Sequence, residues 1–170
     1  IVFEPMGIKG VIKELHVAGR SVQSVCAGQN AGMLLEENHA VSLRRGLVCM
    51  PFGQKASSSQ KIKARVFCLP ESSIASGEEI TVICSSQESK GVVSKIFDKI
   101  NPILDHSPIA VNGSGVIGSS EAALVEISFS NPMFFECFTD LPHTGRFIVS
   151  KNGRVAGVGV VTGVVIGVVA

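Results

Sequence analysis

The feature that most constrains this chain is the period of its hydrophobic residues. Apolar and polar side chains alternate every second position through many short runs, and no window of eleven or more residues keeps a helical stripe. Residues 8–17 read as a strand, Val25–Asn30 as the turn leading into Ala31–Leu35, and Arg44-Arg45-Gly46 as a turn into Leu47–Met50. Further strands are predicted at Ile62–Leu69, Glu79–Ser85, Gly91–Ile100, Glu121–Phe129, Met133–Phe138, Arg146–Ser150 and Arg154–Val165. Asn152-Gly153 is a strong hairpin signal, because both residues tolerate positive φ.

Closure removes sheet edges, so the economical arrangement is two small antiparallel β-barrels in tandem, with a single β-sandwich as the alternative. Pro51–Gln60 is polar, Ser-rich and without period, which makes it the candidate linker. The expected domains are 1–55, a partial barrel lacking its first strands, and 60–170, a complete one. Ile1-Val2-Phe3-Glu4-Pro5 reads as the middle of a strand, with no initiator Met, so the chain is expected to be a piece of something longer. The apolar run Val155–Ala170 is short for a membrane span, and its β-branched residues favour a buried strand that bends at its glycines. No membrane partner is expected.

Residues 1–68 hold nine basic and four acidic side chains, and residues 69–170 hold six basic and ten acidic. The front is thus about +5 and the back about −4, a split that the net charge of +1 conceals. Lys9, Lys13, Arg20, Arg44 and Arg45, with Lys55, Lys61, Lys63 and Arg65, supply a candidate phosphate-contacting surface. Nine Phe but no Trp or Tyr argue against a platform that stacks many bases.

A catalytic centre finds little support. His16, His39, His106 and His143 have no companions at metal-ligand spacing, and Glu36-Glu37 and Glu78-Glu79 are adjacent pairs whose members face opposite ways on a strand. Gly157-Val158-Gly159 opens no helix, and there is no GxxxxGK[ST] to hold a phosphate. The five cysteines, far apart and odd in number, suggest free and mostly buried thiols in a cytoplasmic protein.

The order of residues becomes specific at 131–161: Asn131-Pro132-Met133, Glu136-Cys137-Phe138, Asp140-Leu141-Pro142, Gly145-Arg146-Phe147, then Ala156-Gly157-Val158-Gly159-Val160-Val161. This stretch closely resembles the end of the third domain of the elongation factor 1-alpha family of translational GTPases. Val2–Pro5, Val11–Leu15, Cys26–Gly32 and Leu43–Val48 resemble that family's second domain entered partway through, and Ala64–Phe67 with Ser76-Gly77 its third-domain opening.

The resemblance implies GTP and Mg as cofactors of an intact parent, with none bound by these residues. It implies the ribosome as a partner, with a cargo that is aminoacyl-tRNA in the elongation factor and a protein mimic of tRNA in two relatives. Those relatives are the GTPase partner of the class-I release factor and the rescue GTPase that partners Pelota. The family's His-Thr-Ala and Cys-Lys-Phe stretches are replaced by Cys84-Ser85-Ser86 and Lys90–Val93, and its basic loop is reduced to Asn101–Pro108. The Arg-Asp-x-Gly turn becomes Ser150-Lys151-Asn152-Gly153. Loss of basic residues favours the release- or rescue-type cargo, a class-I release-factor or Pelota-like protein, with a divergent elongation factor 1-alpha delivering aminoacyl-tRNA, or a protein-binding double barrel outside translation, as the alternatives. Gly145, Arg146, Phe147 and Arg154 are the expected partner-binding residues; Lys9, Lys13, Arg44 and Arg45 are the expected RNA-facing ones. Gly28 and Gly46 are expected to be turn glycines with positive φ.

Overall fold

The computed structural model describes residues 1–36, 43–54, 58–100, 108–109 and 115–165. His39, His106, Lys55 and most of the Asn101–Gly118 connection lie outside them. The chain divides into two compact units, Ile1–Ala56 and Ser57–Ala170.

The second unit is built from β7 (Ser58–Cys68), β8 (Ile74–Ala75), β9 (Glu79–Cys84), β10 (Gln87–Ile100), β11 (Pro108–Ile109), β12 (Val116–Ile117), β13 (Ala122–Phe134), α1 (Pro142–Gly145), β14 (Arg146–Lys151) and β15 (Arg154–Val164). Six strands run in the order β10-β13-β7-β15-β14-β9, and β9 pairs back onto β10 to close an antiparallel barrel. Period two produces it: in β7, Ile62, Ala64, Val66 and Cys68 point inward and are buried, while Lys63, Arg65 and Phe67 point outward. β11 adds to the edge of β10, and β8 with β12 forms a separate two-stranded ribbon.

The first unit corrects the expectation of two barrels. It comprises β1 (Val2–Glu4), β2 (Ile8–Lys9), β3 (Ile12–Val17), β4 (Arg20–Val22), β5 (Gly32–Leu35) and β6 (Val48–Met50). These form two three-stranded sheets, β2-β1-β6 and β4-β3-β5, neither of which closes. The strands are short, the outer four have one neighbour each, and among the described apolar residues of this unit only Val2 and Phe3 are buried. Met6, Val11, Met33, Leu34 and Phe52 stay exposed, so the described residues of this unit enclose little apolar interior. Among the described residues the protein is all-β with one closed barrel in place of a single β-sandwich.

Several local readings hold. Gly28 and Gly46 have φ of 89° and 95°, and the hairpin residues Asn152 and Gly153 have 51° and 75°. Others change. The strand expected over 8–17 breaks between Lys9 and Ile12, and Glu121–Phe129 and Met133–Phe138 merge into the one long strand β13. That merger is possible because the ladder to β7 skips from Ser128 to Met133. The thiols are all free but not mostly buried: Cys68 and Cys84 are buried, Cys137 is intermediate, and Cys26 and Cys49 are exposed. In the described part of the C-terminal apolar run, residues 155–165, Val155, Val158 and Val165 are exposed.

A buried side chain stitches the barrel where β13 is irregular. Gln87 accepts a hydrogen bond from the Phe134 N–H at 2.8 Å and donates one to the Phe134 carbonyl at 3.2 Å, imitating a strand partner. Gln87→Leu keeps the volume but leaves both backbone groups unpaired, so it should cost about 2 kcal/mol in urea unfolding. An unchanged midpoint would contradict the stitch.

Two ion pairs hold the loops. Lys151 meets Glu78 at 2.5 Å while Glu78 accepts the Ala75 N–H at 2.9 Å; Lys99 meets Glu121 at 2.5 Å while Glu121 accepts the Gly118 N–H at 2.6 Å. Burial alone would raise the Glu78 pKa, but the Lys151 and Ala75 hydrogen bonds outweigh it and hold the carboxyl below its ordinary 4.5. The Lys99 hydrogen bond, then that of Gly118, does the same for Glu121. A depressed folded-state pKa contributes stability that is present above the ordinary carboxylate value and lost as pH falls through the folded one. Unfolding free energy should therefore drop as pH descends below 4.5, and Glu78→Gln/Glu121→Gln should flatten that drop. A double variant with the wild-type acid profile would show these carboxylates to be bystanders.

Candidate partner-binding surface

The Gly145-Arg146-Phe147 segment sits where α1 passes into β14. Pro142 occupies the first helical turn, where its missing N–H costs nothing, and the Gly145 N–H closes the turn onto the Leu141 carbonyl at 3.0 Å. Position 145 must be glycine, because a Cβ there would lie 2.5 Å from Phe138 Cα and 2.7 Å from its nitrogen. The turn is pinned from β9: the Ser85 hydroxyl donates to the His143 carbonyl at 2.9 Å and the Cys84 thiol to that of Thr144 at 3.4 Å. Burial pushes the Cys84 thiol up to about 11, so it acts as packing and a weak donor, not as a nucleophile.

Phe147 turns inward and is buried, with its ring laid over its register partner Gly159, where a Cβ would collide with three ring carbons. Arg146 points the other way and is exposed. Its guanidinium stacks 4.9 Å from the Phe138 ring centroid and forms no salt bridge among the described residues. Beside it a shallow groove of about 970 Å³ crosses the outer face of β7, β15, β14 and β9.

Arg154 is not brought to this place. It pairs with Lys151 at the hairpin, whereas Arg146 pairs with Val160 near the other end of the same ladder. The four RNA-facing candidates are all exposed but do not cluster within one sheet. In β2-β1-β6, Lys9 lies toward the Met50 end and the Arg44-Arg45 turn precedes the Val48 end, while Lys13 belongs to the other sheet. Lys9 instead packs its ammonium 5.0 Å from the Phe52 ring.

A second cationic surface escaped the sequence reading in part. On the outside of β10, β13 and β7, Lys95, Glu126 and Lys63 are successive register partners. Lys63 and Lys95 both approach Phe97, at 5.7 and 4.8 Å from its centroid, and Lys61 meets Glu126 at 3.1 Å. Lys61, Lys63 and Arg65 were visible as an alternating basic strand; Lys95 and Phe97 join them only through strand pairing. Among the described residues no group of three or more His, Cys, Asp or Glu is placed to hold a metal, and no helix is long and apolar enough to cross a membrane.

This is the architecture of the C-terminal domains of elongation- and release-factor-type translational GTPases. A profile of the GTP-eEF1A C-terminal domain-like family matches residues 61–162, well over half of the chain, and the chain belongs to that family. Elongation factor 1-alpha of Aeropyrum pernix is 21% identical over 169 residues, which cover 96% of this chain and 37% of that protein. Elongation factor 1-alpha of Mucor circinelloides is 25% identical over 164 residues, 95% of this chain and 35% of that protein. The crystal structure of sup35 complexed with GDP superposes with a TM-score of 0.86 at 15% identity, covering 97% of this chain and 40% of that one. The chain thus spans little more than a third of the length of the curated relatives it matches.

Proposed function

We propose that this chain forms the cargo-binding end of a cytoplasmic elongation factor 1-alpha-like GTPase, which delivers aminoacyl-tRNA to the ribosomal A site. The observation that carries the reading is the outer face of β10, β13 and β7, where Lys63 and Lys95 approach the Phe97 ring and Lys61 meets Glu126 beside them. Cations held on a rigid sheet contact successive phosphates, and the ring offers a stacking face to an unpaired base. Elongation factor 1-alpha proteins align with nearly the whole chain, 95–96% of it. GTP and Mg would be bound by another domain of the intact parent, since these residues carry no P-loop sequence. Lys9, Lys13, Arg44 and Arg45 are assigned to ribosomal RNA, and neutralising them should lower ribosome affinity and its salt dependence.

A second reading has a class-I release factor or Pelota-like protein as cargo, in place of the tRNA it mimics. It draws on the acidic balance of residues 69–170 and on the loss of basic residues at Asn101–Pro108. The two readings separate in one experiment. The intact, GTP-loaded protein is offered aminoacyl-tRNA and cell extract in parallel, and retained species are identified. Specific retention of aminoacyl-tRNA supports the first; retention of a release-factor or Pelota-like protein without enrichment of charged tRNA overturns it.

A further inference from the structure

The cationic face on the outside of β10, β13 and β7 carries a feature that charge alone does not explain. Val93 pairs with Ile127 and Lys95 with Glu126, so Ser94 is an extra residue of β10 with no register partner on β13. In this β-bulge Ser94 and Lys95 are both exposed, although strand alternation would send one of them inward. The bulge aims the Ser94 hydroxyl across the ladder to Ser128 Oγ, 2.6 Å away, closer than the 3.5 Å to the Val92 carbonyl. Ser128 is in turn the register partner of Lys61 on β7. The two serines therefore stand among the lysines, one residue from Lys95 along β10 and one strand from Lys61. A hydrogen-bonded pair of hydroxyls keeps one proton to donate outward and lone pairs with which to accept.

We propose that Ser94 and Ser128 bind a ribose 2′-hydroxyl of RNA, between phosphates held by the flanking lysines. The proposal rests on the reading of this face as the tRNA-binding one, and it adds what the lysines do not supply. Ammonium groups meet the phosphates of DNA and RNA alike, whereas the 2′-hydroxyl is the group that separates the two, and it both donates and accepts. The serine pair answers it in both directions: the free serine proton goes to the ribose oxygen, and a serine lone pair takes the ribose proton. In an A-form stem the 2′-hydroxyls line a wide, shallow minor groove, which short side chains on an exposed sheet face can meet without entering a deep cleft. A protein mimic of tRNA carries no ribose, so the contact favours an RNA cargo over a protein one.

The test titrates the intact, GTP-bound protein with aminoacyl-tRNA and with the same aminoacyl-tRNA carrying 2′-fluoro nucleotides throughout its double-helical stems, its single-stranded 3′ end left natural. Fluorine keeps the A-form sugar pucker but donates no hydrogen bond. Ser94→Ala/Ser128→Ala should weaken binding of the natural tRNA about three- to tenfold while the melting transition stays in place. Wild type should prefer the natural tRNA to the fluorinated one by at least that factor, and in the double variant the preference should shrink by the factor lost. Ser128→Thr keeps a hydroxyl and should bind as wild type does. The salt dependence should be the same in every variant, because a hydroxyl contact releases no counterions. Ser94→Ala alone gives the same ranking should the double variant fail to fold. Equal affinity of wild type and the double variant for natural tRNA would overturn the proposal, as would an equal loss on both tRNAs. If replacing the lysines flattens the salt slope while the serine variants change nothing, this proposal alone fails. If wild type binds neither tRNA, the cargo reading fails and takes the proposal with it.

Discussion

Replacing Gly159 with valine should unfold the C-terminal barrel or lower its stability by more than about 3 kcal/mol, because a side chain there must displace the ring of Phe147. The ring has little room to move: it is buried, and Val149, Val161 and Phe135 belong to the same core cluster. Gly159→Ala meets the same ring with one methyl and should cost less, about 1–3 kcal/mol. Shrinking the obstacle should return part of the loss, so Phe147→Leu and Gly159→Ala should be less than additive in a double-mutant cycle. Strict additivity would show that the ring and the glycine do not constrain each other. Gly145→Ala offers a contrast, since its obstacle is the Phe138 backbone and trimming a neighbouring side chain cannot rescue it.

The second large effect concerns charge. Lys61→Gln/Lys63→Gln/Lys95→Gln should weaken aminoacyl-tRNA binding by the intact protein and flatten its salt dependence. Each lost phosphate contact removes about 0.7–0.9 from the slope of log affinity against log salt concentration, so three should remove about 2–3. Phe97→Leu should weaken binding at every salt concentration without changing the slope, because stacking releases no counterions. Lys61 already answers Glu126, so its single variant should matter least of the three. A triple variant with the wild-type slope would move the RNA to another face.

What was legible in the sequence follows from how local each signal is. Period two made β7 and the β14–β15 hairpin readable, since Asn152-Gly153 needs only its own backbone to turn, and Gly28 and Gly46 declared their left-handed turns in the same way. The first unit was misread because alternation reports that a strand has two faces, not that enough strands exist to enclose one. Pro142–Gly145 is a single helical turn, too short for any periodicity to show. In the site, Gly145 and Phe147 were visible as motif residues and the inward course of Phe147 followed from alternation. The apolar groove was not visible. Phe147-Ile148-Val149 is apolar on both faces, and only the register that aligns Ile148 with Val158 and Ile83 turns an unremarkable isoleucine into part of that groove. Arg154 was grouped with Arg146 by its nearness in the motif, yet the hairpin carries the two to opposite ends of the ladder.

The most direct test of the account is an equilibrium titration of the intact, GTP-bound protein with aminoacyl-tRNA across a salt series, with a class-I release factor titrated under the same conditions. The account predicts saturable binding of aminoacyl-tRNA, with log affinity falling linearly as log salt rises, and no comparable affinity for the release factor. Tight binding of the release factor together with absent or nonspecific binding of aminoacyl-tRNA would contradict it.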